Sequence, residues 1–118
     1  MGIYRLYSDK DGHSHIDEID LAGHPVEDGE HQLGPPQAAT NIVFRETSPG
    51  NFADWHPAPR RQYVIVLEGE LEIGLSDGTT QRFGPGDARL VEDTTGRGHT
   101  TRVSSSVPCV TAVVPLAA

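Results

Sequence analysis

Apolar and polar residues change places every few positions along this chain, and no stretch keeps a helical period for three turns. Short runs rich in Val, Ile, Thr and aromatic residues are cut apart by Gly and Pro, which is the pattern of β-strands separated by turns. The expected strands are 3–8, 15–19, 41–46, 62–67, 71–75, 79–83, 88–92, 99–104 and 107–115. Asp77-Gly78 reads as a hairpin turn, Glu68-Gly69-Glu70 as a tight reversal and Gly84-Pro85-Gly86-Asp87 as a third turn. Many short strands at turn-spaced intervals predict an all-β sandwich or barrel.

The stretch 20–40 departs from this pattern. It holds Gly23, Pro25, Gly29, Gly34, Pro35 and Pro36 with few β-branched residues, and reads as an irregular arm. Residues 1–40 are therefore expected to be N-terminal strands and an arm that pack on the barrel or on a partner subunit. Residues 41–118 are expected to form the barrel itself, within one domain overall. Edge protection favours the partner, hence a homodimer. A chain of 118 residues suits one domain with its own core. The lone Cys109 leaves no internal disulfide, and no apolar run reaches the ~18 residues of a membrane span. With no charged-then-apolar leader at its start, the chain is expected to be cytoplasmic, with no membrane partner. Seventeen acids against nine bases give a net charge of −8, which argues against a nucleic-acid partner.

The spacing of particular residues adds chemistry. Gly50 is followed after five residues by His56, His56 after five by Gln62, and Gln62 after six by Gly69. Downstream, Gly86-Asp87 opens an apolar run, and Gly96-x-x-His99 closes the next loop. Over roughly residues 41–115 this resembles the two-motif signature of the cupin family, G-x5-H-x-H-x3/4-E-x6-G followed by G-x5-P-x-G-x2-H-x3-N. The resemblance implies a cupin double-stranded β-helix, the RmlC-like jelly-roll barrel. It also implies a metal site in which two His and a Glu project from one strand and a further His from a facing strand. Here the second His position is Ala58, the Glu position is Gln62 and the Asn position is Val103. His56 and Gln62 keep the even parity that would put both on one inward face.

A Gln offers only a neutral carbonyl oxygen where the family has an anion. Three readings therefore stand side by side. His56, Gln62 and His99 hold one divalent metal ion (Fe, Mn, Ni or Zn) with waters completing the shell. Alternatively the cavity is metal-free and these groups bind a small organic molecule. Or they are satisfied structural polar groups. Trp55, Arg60, Val64 and Asp93 are expected to line the mouth of the same site. Asp93 could orient His99, or start a turn. Arg60 could clamp a carboxylate, or be an exposed charge. Trp55 could close the pocket, or simply pack. His13, His15, His24 and His31 are expected at the surface. The function classes left are a small metal-dependent enzyme of oxygenase, isomerase or lyase type, and a non-catalytic ligand-binding or sensory protein. No catalytic residue can be assigned, and no G-x-S-x-G elbow, phosphate loop or dinucleotide fingerprint is present.

Overall fold

A computed structural model describes residues 1–20, 23–25 (backbone only) and 28–117. Among these there are twelve strands and no helix. They are β1 (Ile3–Ser8), β2 (Ser14–Glu18), β3 (Gly23–Pro25), β4 (His31–Leu33), β5 (Val43–Thr47) and β6 (Phe52–His56). The remainder are β7 (Gln62–Glu68), β8 (Leu71–Gly74), β9 (Thr80–Phe83), β10 (Ala88–Val91), β11 (His99–Val103) and β12 (Cys109–Pro115). A six-stranded sheet runs in the order β2-β1-β10-β7-β12-β5, and a four-stranded sheet in the order β6-β11-β8-β9. β3 and β4 pair only with each other. The result is an open jelly-roll in which the two sheets do not close into one ring.

Alternation along β7 explains the layering. Gln62, Val64 and Val66 are buried, while Tyr63 and Ile65 are half-buried on the opposite face. The inward set meets Leu6, Leu71, Ile73, Phe83, Val91, Val103, Cys109 and Val113 in one core. Tyr4 packs edge-on against Phe83, with ring centroids 5.2 Å apart and planes at 87°. Each sheet thus hides one face, as the period-two pattern requires.

Nine expected strands are present with ends shifted by a residue or two. Two features were not expected from the sequence. Residues 23–33 contain the β3–β4 pair, and 52–56 form β6. β6 escapes the alternation rule because it is bulged. His99 sits opposite His56 but Thr101 sits opposite Ala53, so Asp54 and Trp55 together face the single residue Thr100.

The N-terminal strands belong to the chain's own sheet. β1 runs parallel to β10, and β2 pairs with β1 as the outer edge. Asp87, the acid of the Gly86-Asp87 turn, accepts hydrogen bonds from the backbone N–H of Gly2 and of Gly84. Its role is to tie the N-terminus to that turn. His31 on β4 is exposed, and the side chain of His24 lies outside the described residues. No helix among the described residues is long and apolar enough to cross a membrane.

Candidate functional site

A cavity of about 280 Å³ lies between the two sheets. His56 on β6 and His99 on β11 come from the four-stranded sheet, where they are direct cross-strand partners with ring centroids 4.8 Å apart. Gln62 enters from β7 in the six-stranded sheet. The expected arrangement, with His56 and Gln62 on one strand and His99 on a facing one, is therefore corrected. Pro57 and Pro59 break the ladder after His56, and the chain crosses to the other sheet before Gln62. All three side chains nonetheless line the same cavity.

Both imidazoles are held by their Nδ1 atoms. His56 Nδ1 lies 2.6 Å from the carbonyl oxygen of Asp54, which can only accept, so Nδ1 carries the hydrogen. His99 Nδ1 donates to Asp93 Oδ2 at 2.5 Å, and Ser14 Oγ on β2 donates to the same oxygen at 2.7 Å. Asp93 is fully buried, and its backbone oxygen accepts from Ala58 N at 2.9 Å. The N-terminal strand thus braces His99 through a buried carboxylate. In each neutral imidazole Nε2 is then left as an acceptor. The Ser14–Asp93–His99 order is not that of a hydrolytic triad, because the hydroxyl contacts the acid and not the imidazole.

Glycine permits the pairing of the two histidines. Gly98 has φ +79°, and a Cβ built there would lie 1.9 Å from the backbone oxygen of His56. The Gly96–Gly98 loop thus makes its close approaches to the chain's own backbone, at His56 and at Gly12.

Val64 lines the cavity as expected. Asp93 stands behind His99 and not at the mouth. Trp55 and Arg60 do not reach the cavity wall: Trp55 is 37 % exposed with the Arg97 guanidinium 4.4 Å above its ring, and Arg60 is exposed. The bulge at Asp54–Trp55 turns the indole outward, and Pro57 and Pro59 interrupt the strand geometry before Arg60. His13 and His15 sit apart from this cavity, bonded to Ser76 and Asp9 respectively.

One lining residue was not expected from the sequence. Arg89 on β10 is 6 % exposed, faces inward beside Val64, and places its guanidinium 5.4 Å from the Phe83 ring centroid. Its Nε has no hydrogen-bond partner among the described residues. Burial pushes its pKa down to about 10, a loss that the nearby Asp93 partly offsets, so it is still a cation at neutral pH. The sequence carries no clear signal for it: Leu90 and Val91 are both buried, so parity along β10 does not single out an inward face. Gln62 Oε1 and Asp93 Oδ1 are likewise buried without a partner. Arg45, on the edge strand β5, reaches the mouth.

The donor set fits a divalent metal poorly. Among the described residues no three His, Cys, Asp or Glu side chains converge. The set offers two imidazole nitrogens and an amide oxygen with no carboxylate or thiolate donor, and a buried guanidinium lines the same space.

No protein-family model and no curated protein matches the sequence. Solved structures do resemble the fold. A cupin domain from Bordetella pertussis superposes with a TM-score of 0.51 at 17% identity, over 72% of this chain and 100% of that one. Protein NMB1881 from Neisseria meningitidis gives 0.52 at 16%, over 70% and 84%. The polyketide cyclase RemF from Streptomyces resistomycificus gives 0.50 at 21%, over 82% and 74%. At such identities the likeness concerns architecture, and it agrees with the two-motif spacing: the chain folds as a small cupin domain, an all-β jelly-roll.

Proposed function

We propose that this cupin binds a small organic molecule directly on protein groups of its barrel cavity, without a resident metal ion. The observation that carries the reading is the set of buried, unpartnered polar atoms at the cavity, Gln62 Oε1 and Arg89 Nε. Buried polar groups are nearly always satisfied, so atoms left open by the protein call for a partner from outside. The two anchored imidazoles add an Nε2 apiece with defined direction. A cavity near 280 Å³ lies at the small end of ligand pockets, which start at roughly 300 Å³.

A second reading, a metal-dependent enzyme, is favoured by one feature. Imidazoles held through Nδ1, one by a carbonyl and one by a carboxylate, are what metal-ligating histidines display. If a metal did bind, His56, His99 and Gln62 would hold it, and it would supply Lewis-acid or redox chemistry that the protein groups lack.

The test is metal titration and elemental analysis of protein purified without an affinity tag. The proposal expects no stoichiometric Fe, Mn, Ni or Zn in the wild type and only weak uptake on titration. Gln62→Glu restores an anionic oxygen and should tighten divalent binding at least ten-fold. Stoichiometric, tightly held metal in the wild type overturns the metal-free reading and favours the enzyme.

A further inference from the structure

We infer that the molecule this cavity takes is a small organic carboxylate, and that Arg89 is the residue that selects for it. The inference rests on the reading of the cavity as a ligand site and goes one step further, to the ligand's charge. Three observations support it.

The first is Arg89 itself. A guanidinium removed from water is costly unless it is paired and hydrogen-bonded. Here none of the ion pairs among the described residues includes Arg89, and its Nε is orphaned. Asp93, the nearby buried acid, engages Ser14 and His99 through Oδ2 and favours the Arg89 charge from a distance, with no ion pair between the two.

The second is the distribution of charge. The chain carries a net −8, yet among the described residues no Asp or Glu lines the cavity, whereas Arg45 and Arg89 both do. An acidic protein whose cavity between the sheets is lined by arginines and by no described carboxylate favours an anion there.

The third is the remaining wall. Val64, Leu71, Val91 and Val113 give the cavity an apolar side, which suits a carbon skeleton better than a bare inorganic ion. Gln62 lines the same cavity, and its amide can meet a hydroxyl or amine that a ligand carries beside its carboxylate. A planar guanidinium fork matches the two oxygens of a carboxylate.

The experiment is saturation-transfer NMR and calorimetry with a panel of two- to eight-carbon carboxylic acids. Hydroxy acids, the primary amide of each acid and inorganic phosphate are included. Proteins are the wild type, Arg89→Met and Arg89→Lys. The expected result is that acids bind and their amides bind at least ten-fold more weakly. Arg89→Met should remove that preference while raising the thermal midpoint of the ligand-free protein, since it deletes an unpaired buried charge. Should Arg89→Met fail to fold, Arg89→Lys must keep the preference for acids over amides with reduced affinity. Acids and amides binding equally to the wild type, an unchanged preference in Arg89→Met, or an unchanged affinity for acids in Arg89→Lys overturns the role of Arg89 and leaves the cavity reading standing. Phosphate displacing every acid overturns the carboxylate. Binding of nothing in the panel to a folded wild type overturns both the inference and the cavity reading.

Discussion

Gly98 shows how much of the site depends on one missing methyl group. Its φ of +79° is open to glycine and strained for other residues, and the His56 carbonyl occupies the space a Cβ would need. Gly98→Ala must either push β6 from β11 or distort the loop. It should cost on the order of 2 kcal/mol and separate the His56 and His99 rings. Urea unfolding and the imidazole NMR signals would show this; an unchanged midpoint with unchanged signals would mean that the contact is easily relieved. Asp93→Asn should loosen the site differently. It removes the anionic acceptor shared by Ser14 and His99, for about 1–3 kcal/mol of stability, and frees the His99 ring to rotate. His56, Gln62 and His99 were picked out by the resemblance to the cupin motifs, and they do line one cavity, but the parity that put His56 and Gln62 on one strand fails because Pro57 and Pro59 carry the chain to the other sheet. Arg89 was not legible in the sequence, since a charge in an apolar run is ordinarily an outward one, and only the burial of its strand shows which way it faces.

At the scale of elements, β1 behaves as an integral strand. Leu6 is fully buried against the core, and Tyr4 covers Phe83. Leu6→Ala should therefore cost about 3 kcal/mol, and removing residues 1–20 should unfold the barrel and not merely alter its assembly. Circular dichroism of the truncated chain decides this, a native spectrum being the contrary outcome. Glu92, just past β10, links β1 to the segment before β7, accepting from Arg5 Nε at 2.6 Å and Arg61 Nε at 2.7 Å. Partial burial by itself would raise its pKa, but the two guanidinium hydrogen bonds outweigh that and hold it below 4.5. A carboxyl depressed on folding stabilises the native state above its ordinary pKa and loses that contribution as pH falls through the folded value. Glu92→Gln should thus be destabilising by about 1 kcal/mol at pH 7, and the difference from wild type should shrink steadily below pH 4.5. A constant gap from pH 7 to pH 3 would show that the ion pairs are not its origin. The nine strands with clean alternation were legible, whereas β6 hid behind a bulge and β3–β4 behind Gly and Pro, which carry no periodic signal.

Over the whole molecule, the outer charge and the inner charge oppose each other. The exterior carries most of the seventeen acids, while the cavity presents Arg45 at its mouth and Arg89 within. A carboxylate approaching from solvent first meets a repulsive field and is attracted only near the opening, where Arg45 stands. Salt screens charges more than about 10 Å apart at 0.1 M but acts weakly on contacts inside a cavity. Raising ionic strength should therefore speed association of a carboxylate while changing its dissociation rate little. A protein with a basic surface would show the reverse, an association rate that falls with salt. Stopped-flow binding of the tightest acid from the panel, at 20 and 200 mM sodium chloride, separates the two. Arg45→Gln should lower the association rate at both concentrations, because it removes the cation nearest the entrance and leaves Arg89 in place. An association rate that falls with salt in the wild type would mean that the acidic exterior does not govern access. Arg45→Gln without effect would mean that the ligand enters by another route than the gap beside β5.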